Sequence, residues 1–173
     1  MGDSLITIVA IFLAAILMFV FPLAAISEMN DQEALAMVQS YTTEFVDQIR
    51  AKGKITVDDY NSYVQKLYAT GNSYEVDFEV QIADTNPGKK TENQQVGDTT
   101  YYGVYTSQVI TDLNNANKGN CYRLKEGDYI NVYVKNTNTT ISQMIKSVLY
   151  SVTGDQSYVI SAQASGTVVA TSY

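Results

Sequence analysis

Histidine and tryptophan are missing from this chain, and cysteine occurs once, at Cys121. Without histidine the commonest general base and metal ligand is gone. A lone thiol builds neither an internal disulfide nor a thiolate metal cage, and Cys121 reads as a small buried apolar residue. Positive charge is scarce as well: 11 Lys and Arg stand against 18 Asp and Glu, a net charge of −7, with no basic cluster beyond Lys89-Lys90. Nucleic acid and anionic membrane surfaces are therefore poor partners. No nucleophile elbow, S-x-x-K pair, Gly-rich phosphate loop, dinucleotide fingerprint or metal-ligand spacing occurs. The expectation is a protein that is not an enzyme, with no cofactor and no metal. The acid row Glu75, Asp77 and Glu79 reads as a solvated strand face that discourages edge pairing rather than a Ca²⁺ site. Asp84, Asn86 and Glu92 read as loop residues in the same way. Asn138-Thr139-Thr140 matches the N-glycosylation pattern, a three-residue match that arises often by chance.

What the chain does have is one long apolar run, Leu5 to Ile26, interrupted by Thr7 and Pro22. At about 1.5 Å per residue, roughly 20 apolar residues cross a ~30 Å hydrocarbon core. Met1-Gly2-Asp3-Ser4 carries no basic residue, the run is longer than a signal h-region, and Ala24-Ala25-Ile26-Ser27 is a mediocre cleavage site. A retained anchor is expected rather than a removed signal. Few charges flank the N-terminus, so orientation rests on the Tyr-, Asn- and Thr-rich remainder, which favours a C-terminal domain outside. Pro22 predicts a kink or a melted turn near Met18–Pro22.

No Gly or Pro interrupts Glu28–Lys52, and Leu35, Val38, Thr42, Phe45 and Ile49 recur at helical spacing with Tyr41 beside them. One helix is predicted from the apolar run to Gly53, with Asp31, Glu33, Glu44, Asp47 and Gln48 on its polar surface. Arg50 and Lys52 suit its negative pole, and Gly53 its C-terminal stop. Thr56 caps a second helix whose buried side is Tyr60, Tyr63/Val64 and Leu67/Tyr68. Tyr74–Ile82 alternates as a strand, one face on the long helix. Val109, Ile110 and Leu113 suggest a short helix. Tyr122–Leu124 and Tyr129–Val134 suggest a hairpin with Ile130, Val132 and Val134 inward. Thr139 or Thr140 caps a helix with the stripe Ile141, Met144, Ile145, Val148, Leu149 and Val152, and Tyr158–Thr171 closes the chain as a strand. The fold class is α+β: a long N-terminal helix, half apolar and half amphipathic, packed on a small antiparallel sheet with short marginal helices. Three parts follow: residues 1–27 as the apolar helix half, 28–53 as its amphipathic continuation, and 54–173 as a globular head.

A short N-terminus, an apolar run with an internal proline and an unbroken amphipathic helix leading into a small sheet together resemble the type IV pilin superfamily. Gly53-x-Ile55-Thr56 leading to Leu67-x-x-x-Gly71, and Glu126-Gly127-Asp128-x-Ile130-x-Val132-x-Val134 before a helix and a terminal strand, look like its Tad-type and pseudopilin-like branch in Gram-positive bacteria. The resemblance implies a structural subunit that polymerises through bundled apolar helices, with heads on the outside. Its partners would be copies of itself, the membrane before assembly, and pilus or secretion assembly machinery. Pro22 resembles the family's helix-breaking proline, and Ala10, Ala14, Ala15, Ala24 and Ala25 would permit close helix approach beside Ile11. The family's basic leader and early glutamate are not matched, since no Glu precedes Glu28; the leader is already removed or the chain inserts uncleaved. Asp3 is the early acid in a position to pair with a neighbour's N-terminal amine. The alternatives are a permanently anchored minor pilin or pseudopilin component of a secretion or assembly apparatus, and a membrane-tethered adhesin or binding module with a concave aromatic or charged pocket.

Overall fold

The computed structural model describes residues 2–83, 101–150 and 160–170. A single helix, α1 (Gly2–Lys52), runs through Pro22 without a break. Of the kink or melted turn expected near Met18–Pro22, the melted turn does not form: these residues are helical, although Pro22 has no N–H to offer the Met18 carbonyl. Gly53 ends the helix with φ +66° while its N–H reaches the Ile49 carbonyl at 2.8 Å. Only a residue that tolerates positive φ stops a helix this way at low cost.

After α1 come β1 (Lys54–Thr56), α2 (Val57–Tyr68), β2 (Tyr74–Ala83), β3 (Tyr101–Tyr105), α3 (Thr106–Leu113), β4 (Cys121–Arg123), β5 (Tyr129–Asn136), α4 (Ile141–Tyr150) and β6 (Ser161–Thr167). The main sheet has the order β3-β2-β5-β6, antiparallel throughout, and β1 pairs separately with β4. The fold is α+β as expected. The hairpin is not: β4 pairs with β1 instead of β5, because Thr56 and Lys54 match Cys121 and Arg123 in register. The short helix expected at Val109–Leu113 is α3, and the aromatic run before it, Tyr101–Tyr105, for which no element was expected, forms the edge strand β3.

α1 lies chiefly over β6 and β5 rather than over β2. The inward positions of β6 are Ala162, Ala164 and Gly166, paired with Val134, Val132 and Ile130. Small side chains there let the helix approach, while the fully buried Ile130, Val132 and Val134 fill the space beside it. Val38, Phe45, Val46 and Ile49 supply the helix side of this core, with Leu35 and Tyr41 at its margin. Phe45 stacks on Tyr63 of α2 with ring centroids 4.2 Å apart and meets Phe78 of β2 at 6.2 Å. Thr42 donates to the Val38 carbonyl and shares a 2.8 Å hydrogen bond with the Tyr63 hydroxyl, so both buried polar groups are satisfied.

The predicted cap of α2 is present: the Asp59 N–H donates to Thr56 Oγ1, and Thr56 Oγ1 donates in turn to Asp59. Desolvation alone would raise the Asp59 carboxyl. The hydrogen bonds from Lys52 and Thr56 outweigh it and hold the group below its ordinary 3.8. On α2, Tyr63 and Leu67 are buried, but Tyr68 points outward, contrary to its expected place on the core side.

Candidate functional site

The part of α1 that the fold leaves uncovered is its N-terminal half. From Ser4 to Ile26 every residue is exposed except Val20 and Ala24, which are half-buried. Leu5, Phe12 and Phe19 keep 67%, 67% and 75% of their surface open. On the order of a dozen large apolar side chains, at about 1.5–3 kcal/mol each, leave some 20–35 kcal/mol of burial unrealised in the isolated chain. The segment is long and apolar enough to cross a membrane. A helix apolar on all sides needs lipid or other helices around it.

The proposed assembly residues are distributed along this surface. Ala10, Ile11, Ala14, Ala15, Pro22 and Ala25 are all exposed. At 3.6 residues per turn, Ala10, Ala14 and Ala25 fall within a sector of about 60°, whereas Ala15 lies well away from it. Three of the alanines therefore make one narrow strip of small side chains, the kind of surface that permits close approach of another helix. Ala24 does not belong to that strip: it is half-buried in line with Ser27 and Asp31. Asp3 sits in the first helical turn, and its side chain lies outside the described residues.

Sequence reasoning missed the stripe Val20, Ala24, Ser27 and Asp31. Asp31 was expected on the solvated surface, yet it is 6% exposed and accepts a 2.8 Å hydrogen bond from Thr140 Oγ1. Thr140 is itself locked in a reciprocal cap: its N–H donates to Gln143 Oε1, and the Gln143 N–H donates to Thr140 Oγ1. That arrangement turns Ser142 and Gln143 inward and leaves Ile141 and Met144 facing out, 54% and 50% exposed. The expected core stripe of α4 is thus reversed at Ile141 and Met144, and Ile145 is half-buried. The side chains of Val148 and Leu149, and all of Val152, lie outside the described residues. Lys146 closes the contact with Glu28 at 3.0 Å. The T-x-x-Q spacing and the 4-3-4 spacing along α1 were the available signals.

The acid row on β2 is internally partnered. Glu75 pairs with Lys135 at 3.1 Å, Asp77 accepts from Thr106 at 3.3 Å, and Glu79 from Asn131 at 3.4 Å. Lys135 is correspondingly raised by its hydrogen bond to Glu75. A shallow groove of about 500 Å³ lies on this outer sheet face, lined by Asp77, Glu79, Tyr105, Asn131 and Tyr133 among others. The Asn138 amide donates to Asn72 Oδ1 at 2.9 Å, so its nitrogen is committed within the fold. Cys121 is buried. Asp84, Asn86 and Glu92 lie outside the described residues.

No family model, curated protein or solved structure matches this chain. Fold and surface together define a class in physical terms: an α+β head fixed to a helix whose free half is long and apolar enough to span a bilayer.

Proposed function

We propose that this chain is a structural, pilin-like subunit that polymerises into an extracellular filament through its N-terminal apolar helices, after residing in a membrane with its head outside. The observation that carries the reading is the continuity of α1. One half packs a face against the head and the other is exposed except at the half-buried Val20 and Ala24, with no break in the helix between them. A mounting on one unbroken helix transmits the packing of the helices to the position of the heads. The Ala10, Ala14 and Ala25 strip supports close helix approach in such a bundle. Copies of the same chain and an assembly machinery are the partners this reading requires; no nucleic acid and no cofactor enter it.

Electron microscopy of material sheared from cells expressing the chain, with N-terminal mass analysis of the same fraction, tests the reading. Thin filaments composed of this protein are expected. Ala14→Glu or Ile11→Asp should abolish them while the head from about residue 28 stays folded. Undiminished filament yield from both variants would refute a helical-bundle core. A protein found wholly in the membrane fraction as a monomer or small complex replaces the filament reading with a permanently anchored component of a secretion or assembly apparatus. The groove at Tyr105 and Tyr133 is where a tethered adhesin would bind. That reading requires Tyr133→Ala to remove adhesion without changing assembly or anchoring.

A further inference from the structure

We infer that α4 is a second membrane contact, an amphipathic helix held against the top of the anchor so that Ile141 and Met144 sit in the lipid interface; this rests on the reading of α1 as a membrane span. The placement comes from two contacts in sequence. Thr140, at the start of α4, binds Asp31 of α1, and Lys146, almost two turns later, binds Glu28. α4 therefore runs down α1 toward its N-terminus, in the direction of the apolar run. The stripe it follows continues through Ser27 to Ala24 and Val20, the half-buried positions of that run.

Held at Asp31 and Glu28, just past the end of the apolar run at Ile26, α4 lies at the boundary between hydrocarbon and headgroups. Its outward residues there are Ile141 and Met144, roughly half exposed in the free chain. Ile26 and Met29 of α1 are exposed at the same level, 56% and 69%, and extend the apolar surface of the span. Lys146, paired with Glu28, holds the polar flank, as an interfacial helix requires. Lipid is the occupant that this continuity selects. The contact sets the tilt and rotation of the head relative to the bilayer, because two non-collinear elements are seated rather than one.

The chain has no Trp, so single-Trp variants of the full protein report one position each. Met144→Trp, Ile141→Trp, Phe12→Trp and Tyr133→Trp would be reconstituted in phosphatidylcholine–phosphatidylglycerol vesicles carrying lipids brominated either high on the acyl chain or near its end. The expected result is loss of most Met144→Trp and Ile141→Trp emission to the shallow bromines and of Phe12→Trp emission to the deep ones, with Tyr133→Trp unquenched. Quenching at Phe12→Trp with none at either α4 position overturns the second contact and leaves the anchor standing. No quenching at Phe12→Trp overturns the anchor itself. Tyr133→Trp quenched as strongly as Met144→Trp indicates adsorption of the whole head and overturns the inference. So does α4 emission that ignores the bromines but changes as protein is diluted in lipid, because a second copy then covers the face.

Discussion

Substituting Gly166 by Ala tests how the helix is seated on the sheet. A Cβ at Gly166 would stand 2.6 Å from Arg50 Nε and 2.8 Å from its Cδ and Cζ, closer than carbon atoms tolerate. The strand backbone has no need of glycine's conformations here, so the conflict is entirely with Arg50. That side chain is held by Nε donating to the Thr167 carbonyl at 2.8 Å and by its pair with Asp47 at 2.9 Å. Moving it forfeits a charge-assisted hydrogen bond of about 1.5–3 kcal/mol, reduced here because Arg50 is partly exposed to water. Against this, Gly→Ala removes unfolded-state freedom and stabilises by about 0.4–1 kcal/mol. The net expectation is a loss of about 1 kcal/mol, or about 2–4 °C in Tm for a unit of this size. Urea unfolding of residues 28–173 measures it. In an Arg50→Ala background the clash vanishes, and Gly166→Ala should become neutral or stabilising. Equal costs in both backgrounds would refute the reasoning, since the double-mutant cycle isolates the Arg50 contact.

Asp31→Ala removes the buried acceptor of Thr140 and should cost about 1–3 kcal/mol while loosening α4 first. Hydrogen exchange at the amides of Ile141–Lys146 should rise several-fold more than at those of β5, and uniform protection would contradict the latch. Alkaline stability should be governed by tyrosine. Burial pushes Tyr63 well above its ordinary 10, against the hydrogen bond it shares with Thr42, and pushes Tyr122 up to about 12. Between pH 10 and the folded values the native state binds more protons than the unfolded one, so stability is complete below about pH 10 and falls above it. Tyr63→Phe should flatten that decline at a cost of about 0.5–1.5 kcal/mol near neutrality, because the bond to Thr42 is lost; an unchanged alkaline slope would count against Tyr63 as a source.

The elements that were legible beforehand carry their information locally. The alternation of β2, the inward set Ile130, Val132 and Val134, the Thr56 cap and the Gly53 stop each depend on residues within a few positions of one another. The long apolar helix was legible to the same extent, since an all-round apolar run declares itself by composition. The pairing of β4 with β1 was not, because three-residue strands offer too little pattern to choose a partner across nearly seventy positions. β3 was hidden by a run of tyrosines that fits an exposed edge as readily as a loop.

Sequence alone determined the long half-apolar helix and its Gly53 stop, the Thr56 cap of α2, and the absence of histidine, because periodicity, capping and composition are local or additive properties. Tertiary structure alone decided which strand α1 lies on, which way α4 turns its apolar residues, and that Asp31 is buried. Those outcomes depend on groups far apart in the chain: Gly166 clears space for Arg50, and Thr140 meets an acid more than a hundred residues away. A carboxylate is placed on the surface by its own chemistry and brought inside only by a partner that satisfies it.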